Sequence, residues 1–230
     1  MTADELAALA SATLEPVYDA LHRVAEEVLR SRPPRTSLTE AHFSALQRLL
    51  ADLITADEGL WGMGFVAAPS VVDGRERYMA WWQRHDQRVA RLRLNFDPDS
   101  IDVYDYLQMD WYQLALRGQQ VVAYGPYVDY SGSDMYTITA TVPVMADDTF
   151  LGVAGADLVV GDVERRLIEV LRHTDRDAVV VNTERRVIAA NTPRWYVGSR
   201  LPAIPAHDDT FTDIAELPLG MGWAVALARP

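Results

Sequence analysis

The sequence contains no cysteine, which removes disulfides, thiolate metal sites and cysteine nucleophiles together and leaves the redox compartment open. It contains no apolar run near the roughly 20 residues that span a bilayer. Its first residues, Met1-Thr2-Ala3-Asp4-Glu5-Leu6, lack the basic stretch that opens a signal peptide. These two absences lead to the expectation of a cytoplasmic chain with no membrane partner. Positive charge is also short: 21 basic against 33 acidic residues give a net charge of -12 at pH 7. That balance repels phosphate backbones, excludes nucleic acid as an expected partner and favours a cationic small molecule. Phosphate-binding glycine loops and serine nucleophile elbows are missing; Gly132 stands alone after Ser131. The histidines His22, His42, His85, His173 and His207 are isolated, which argues against zinc. Asp97, Asp99, Asp102, Asp105 and Asp110 lack the glycine and terminal glutamate of a calcium loop. Neither a metal nor a cofactor is expected.

What is present is ordinary globular material, 230 residues with 49% hydrophobic side chains, enough for one elongated domain or two small ones. Leu14, Val17, Leu21, Val24 and Val28 recur at spacings of three and four and predict a helix over about 3–30, with Pro16 kinking it or starting its second part. The apolar stripe suits either a homodimer seam or packing on the chain's own body, and two heptads are too few to define a coiled coil. After a proline-containing break at 31–35, Ser37 and Glu40 have capping-box spacing. They open a second helix ending near Ala56, with Phe43, Leu46, Leu49, Leu50 and Leu53 on its buried face.

From Gly59 onward the pattern is mixed. Helices are predicted at about 75–91 and 103–117, and strands at 121–124, 136–144 and 150–157, with turns at Tyr130-Ser131-Gly132-Ser133 and Ala146-Asp147-Asp148-Thr149. Asp162 is positioned to cap a helix running to His173. A hairpin over 178–182 and 187–191 and a last strand at 222–228 complete an α+β reading: an N-terminal helical segment over 1–58, then two PAS-like modules with antiparallel sheets over 59–160 and 161–230.

The richest chemistry lies between Tyr104 and Asp157, where aromatic residues and acids alternate: Tyr104, Trp111-Tyr112, Gly125-Pro126-Tyr127-Val128-Asp129, and Gly152-Val153-Ala154-Gly155-Ala156-Asp157. Aromatic faces attract cations, and carboxylates take charge-assisted hydrogen bonds from a desolvated ammonium group. This order resembles the double Cache sensor domains of bacterial chemoreceptors and sensor kinases. The pattern of their amino-acid-binding members is a Tyr, an Arg five residues later, a Trp-Tyr pair two residues after the Arg, a Pro-Tyr-x-Asp segment and a Gly-Val-x-Gly-x-Asp strand. Tyr104, Trp111, Tyr112, Tyr127, Asp129 and Asp157 match in order and spacing, whereas the Arg position holds Met109.

The resemblance implies a non-catalytic sensor whose first module holds the ligand and whose second relays. In the family the Arg pairs with a ligand carboxylate, which a thioether cannot do. The matching residues then imply a small amine, quaternary ones included: Asp129 and Asp157 on the cation, Tyr104, Trp111, Tyr112 and Tyr127 around it, Met109 at an apolar end, and Asp110 as a third acid. Output would pass to a downstream signalling partner or through oligomerisation. Other readings stand beside this one: an amino-acid-binding Cache protein, an enzyme using Asp129 and Asp157 as acid and base, or a structural dimerisation module. Duller roles also exist for single residues, with Trp111 and Tyr112 as core packing and Asp129 and Asp157 as turn caps.

Overall fold

A computed structural model describes residues 1–33, 38–85, 88–130 and 135–229. The chain separates into two compact units, Val17–Leu158 on one hand and Met1–Pro16 with Val159–Pro230 on the other. Helix α1, Ala3–Ser31, contributes to both and continues through Pro16 without a break. Its predicted stripe is buried within the single chain: Leu21, Val24 and Val28 are fully covered, and Leu14 and Val17 nearly so. The stripe therefore packs on the chain's own body, not in a seam between copies.

In the larger unit a 3-10 turn at Glu40–Phe43 leads into α2, Ser44–Ala56. The reciprocal cap forms between Thr39 and His42, while Ser37 of the predicted capping box lies outside the described residues. Leu46, Leu50 and Ile54 line the buried face of α2, and Leu49 and Leu53 are only half-buried. Six strands follow: β1 Leu60–Ala67, β2 Met79–His85, β3 Arg88–Arg91, β4 Val122–Val128, β5 Tyr136–Ala146 and β6 Thr149–Val159. They form one sheet in the order β3-β2-β1-β6-β5-β4. The hairpin between β5 and β6 turns at Asp147 and Asp148, both in the left-handed region (φ 46° and 63°), as a primed two-residue turn requires. Tyr130 is the one described residue of the predicted turn at 130–133.

Two of the expected helices do not form as expected. The stretch 75–91 forms β2 and β3, because Met79, Ala80, Trp81 and Trp82 are all buried and fill both faces of an interior strand. The stretch 103–117 contains only a 3-10 turn, Tyr106–Gln108, and the short helix α3, Asp110–Leu116. Thr141 Oγ1 donates to the Trp111 carbonyl at 3.1 Å and ties α3 to the sheet.

The smaller unit holds α4, Val160–Leu171, and a four-stranded antiparallel sheet of order β8-β7-β10-β9, with β7 Ala178–Val181, β8 Val187–Ala190, β9 Phe211–Glu216 and β10 Ala224–Ala228. Val159, not Asp162, is the N-cap of α4; Asp162 lies in its first turn and pairs with Arg165 and Arg166. Strand β9 went unpredicted. Val179, Val187, Leu201 and Phe211 form its core, with Trp195 stacked on Phe211 at 5.6 Å. The α+β class with antiparallel sheets is the one expected.

Candidate functional site

Period-two alternation along β6 sends Val153, Gly155 and Asp157 to the same face of the sheet. Opposite Asp157 on β1 stands Gly62, and opposite Gly155 stands Gly64, which in turn pairs with Trp81 on β2. Because these neighbours lack side chains, the Trp81 indole lies across the strands. A Cβ on Gly62 would sit 2.6 Å from Trp81 Nε1, and one on Gly155 would sit 3.2 Å from its ring. Glycine is thus needed where the indole crosses the backbone.

On the other flank, β5 carries Thr137, Thr139 and Thr141 at alternate positions, all buried. Thr139 Oγ1 donates to Asp157 Oδ1 at 2.8 Å, and the Tyr127 hydroxyl lies 2.8 Å from the same Thr139 oxygen. Having given its proton to the carboxylate, Thr139 accepts from Tyr127, so the three form one chain of hydrogen bonds. A register shift between Tyr124 and Tyr127, around the cis Gly125-Pro126 bond, sets Tyr127 opposite Thr137. Asp129 follows β4 and is fixed by its own N–H on the Met135 carbonyl at 2.9 Å.

These elements surround a narrow cavity of about 10 Å³, room for about one water. Tyr104, Trp111, Tyr127, Asp129 and Asp157 line it, as do Thr139 and the side chains of Met79, Trp81 and Leu92. Among the described residues no basic side chain is in the lining. Both acids are 6% exposed. Burial, opposed by the Thr139 hydrogen bond and aided by the nearby Asp129 charge, raises the Asp157 carboxyl to about 7. Burial, then Asp129 and Asp157, push the Tyr104 hydroxyl up; burial, then Asp157, do so for Tyr127. Both phenols are neutral donors at physiological pH. The indole N–H groups of Trp81 and Trp111 are buried without a hydrogen-bond partner among the described residues.

Three residues singled out from the sequence fall elsewhere. Asp110 is exposed on the first turn of α3 and adds no third acid to the cavity. Met109 precedes α3, half-buried against the aromatic cluster. Tyr112 is core, edge-on to Tyr106 at 5.5 Å and to Phe150 at 5.7 Å. Asp157 sits inside β6 and caps no turn. Sequence reasoning missed Thr139, Met79, Leu92 and Trp81. The alternating threonines of Thr137-Ile138-Thr139-Ala140-Thr141 were the available signal, since three hydroxyls on one face of a buried strand need partners.

Among the described residues no three His, Asp or Glu side chains gather as metal ligands, and no helix is long and apolar enough to cross a membrane.

Residues 46–165 match the family of methyl-accepting chemotaxis protein-like, first PDC sensor domains. Among solved structures, the ligand-binding domain of the Campylobacter jejuni chemoreceptor Tlp3 in complex with L-valine is 16% identical, with 99% of this chain and 90% of that one covered and a TM-score of 0.63. The extracellular domain of mmHK1S-Z3, a protein named as a histidine kinase, is 15% identical over 96% of this chain and 90% of its own, at a TM-score of 0.65. Methyl-accepting chemotaxis protein X is 15% identical over 99% and 97%, at 0.60. At such identities the likeness is one of fold. No curated protein matches the sequence. The family and the extracellular domain of that kinase overturn the expectation of a cytoplasmic location; an N-terminus without a basic leader carries no such conclusion. The matched segment spans just over half of the chain and contains every residue that lines the cavity, so the chain belongs to the methyl-accepting chemotaxis protein-like PDC sensor domains, a family of non-catalytic ligand-binding sensors of the Cache type.

Proposed function

We propose that this sensor domain recognises a small amine, primary, secondary or quaternary, in the module spanning 59–160, and that the module spanning 161–230 relays occupancy to a signalling partner. The observation that carries this reading is the pairing of two buried carboxylates, Asp129 and Asp157, with the aromatic walls of Tyr104, Trp111, Tyr127 and Trp81 in one cavity. Two buried acids side by side are costly, as the raised Asp157 carboxyl records, and a ligand cation relieves that cost. The rings supply cation–π attraction that strengthens as water leaves. Met109, at the position of the family's carboxylate-binding Arg, has no charge to give an α-carboxylate, so amines should bind more tightly than the corresponding amino acids.

A second reading, an amino-acid ligand, draws on the Tlp3 complex with L-valine and on the unpartnered indole N–H groups of Trp81 and Trp111, which suit a carboxylate oxygen. Calorimetric titration of matched pairs, isobutylamine against L-valine for example, separates the two. Asp129→Asn and Asp157→Asn should each abolish the amine response; unchanged affinity in both variants would sink the amine reading, and tighter binding of the amino acid would select the second.

A further inference from the structure

Outside the acidic cavity, the larger unit carries a second concavity of opposite character. It is a shallow, open cleft of about 210 Å³. Arg75, Arg77, Arg91 and Arg93 line it, flanked by the rings of Tyr78 and Phe96. The chain has no lysine, and these are four of its 21 basic residues, gathered in a molecule whose net charge is -12.

The four guanidinium groups divide into a fixed pair and a freer pair. Arg91 pairs with Glu40 and donates to the Tyr78 hydroxyl at 3.3 Å, and Arg77 pairs with Asp105 at 3.0 Å. Both are largely covered, at 26% and 17% side-chain exposure, and hold the frame of the cleft. Arg75 is looser, 3.8 Å from Glu40 and 3.7 Å from Asp73, and half-exposed. Arg93 is exposed and makes no ion pair or hydrogen bond among the described residues. A planar fork with unspent donors matches carboxylate, phosphate or sulfonate oxygens in pairs. The half-buried Phe96 adds an apolar face for the body of such a molecule, while Tyr78, buried under Phe43 and Arg75, holds Arg75 in place.

We infer that this cleft is an anion site, one that binds a small oxyanion attached to an aromatic or apolar body through Arg75 and Arg93, distinct from the acidic cavity. Met79 and Leu92 line both concavities, so the two sites share a wall and filling one alters the packing around the other. The inference stands without the amine reading, because it uses none of the acids of the first cavity.

The test is titration of the protein with phenyl phosphate at constant ionic strength, with sodium chloride as the control, followed by calorimetry and thermal shift. The expected result is saturable binding that Arg75→Gln combined with Arg93→Gln weakens by about tenfold or more, since two charge-assisted contacts are lost. Both positions are exposed enough for the variant to fold, which its unliganded melting temperature checks. Asp157→Asn should leave phenyl phosphate binding intact while removing the amine response, so failure of either site is read separately. A non-saturating response shared by chloride, or equal affinity in the double Arg variant, would overturn the inference.

Discussion

Asp157 is where burial, hydrogen bonding and charge meet. Its carboxyl titrates near 7, far above an exposed aspartate, because desolvation outweighs the Thr139 hydrogen bond and Asp129 adds repulsion. The folded protein therefore holds a proton that the unfolded chain releases near pH 4. The contribution of this group to stability is full below that pH, falls as the pH rises towards 7, and levels off above it. Asp157→Asn should flatten this slope and raise the melting temperature of the unliganded protein at pH 8, even as amine binding is lost; urea titrations of both proteins at pH 4, 6 and 8 check both. Binding has the opposite sense. Choline, whose charge does not titrate, should bind about tenfold more weakly for each pH unit below 7, because the site must first lose its proton. A choline affinity that does not change between pH 5.5 and 7.5 would mean that Asp157 does not face the cation.

At the scale of elements, the cavity depends on how closely Trp81 lies against strand β1. Gly62→Ala would place a methyl 2.6 Å from Trp81 Nε1 and 3.2 Å from the Trp82 carbonyl, so strand or indole must shift. The expected cost is about 1–3 kcal/mol of stability, seen as a lowered denaturation midpoint, with a weaker amine affinity because Trp81 is a wall of the cavity. Helices with clear periodicity, α1 and α4, and the tight β5–β6 hairpin were legible in the sequence. Strand β2 was not, because Met79-Ala80-Trp81-Trp82 is buried on both faces and shows no alternation to separate it from helix. Asp129, Asp157, Tyr104, Trp111 and Tyr127 stood out through a spacing pattern. Thr139 and Trp81 did not, because they reach the cavity only through strand pairings such as Gly64 with Trp81, which no local signal encodes. Tyr112 and Asp110 show the converse: neighbours of Trp111 in sequence, they point into the core and into solvent.

For the whole molecule, the net charge of -12 surrounds the cavity with a field that draws cations in and repels anions, so amine association should slow as salt is added. Stopped-flow association rates at two ionic strengths measure this. With the stripe of α1 buried inside the chain, that stripe is not available as a dimer seam. The central claim, a cavity that selects ammonium over carboxylate, is tested most directly by a thermal-shift panel of amines, betaines, amino acids and simple carboxylates on the native protein and Asp157→Asn. An amine at 100 times its dissociation constant should stabilise by about 2.7 kcal/mol, and that gain should vanish in the variant. Stabilisation by amino acids alone, or an amine response that persists in Asp157→Asn, would contradict it.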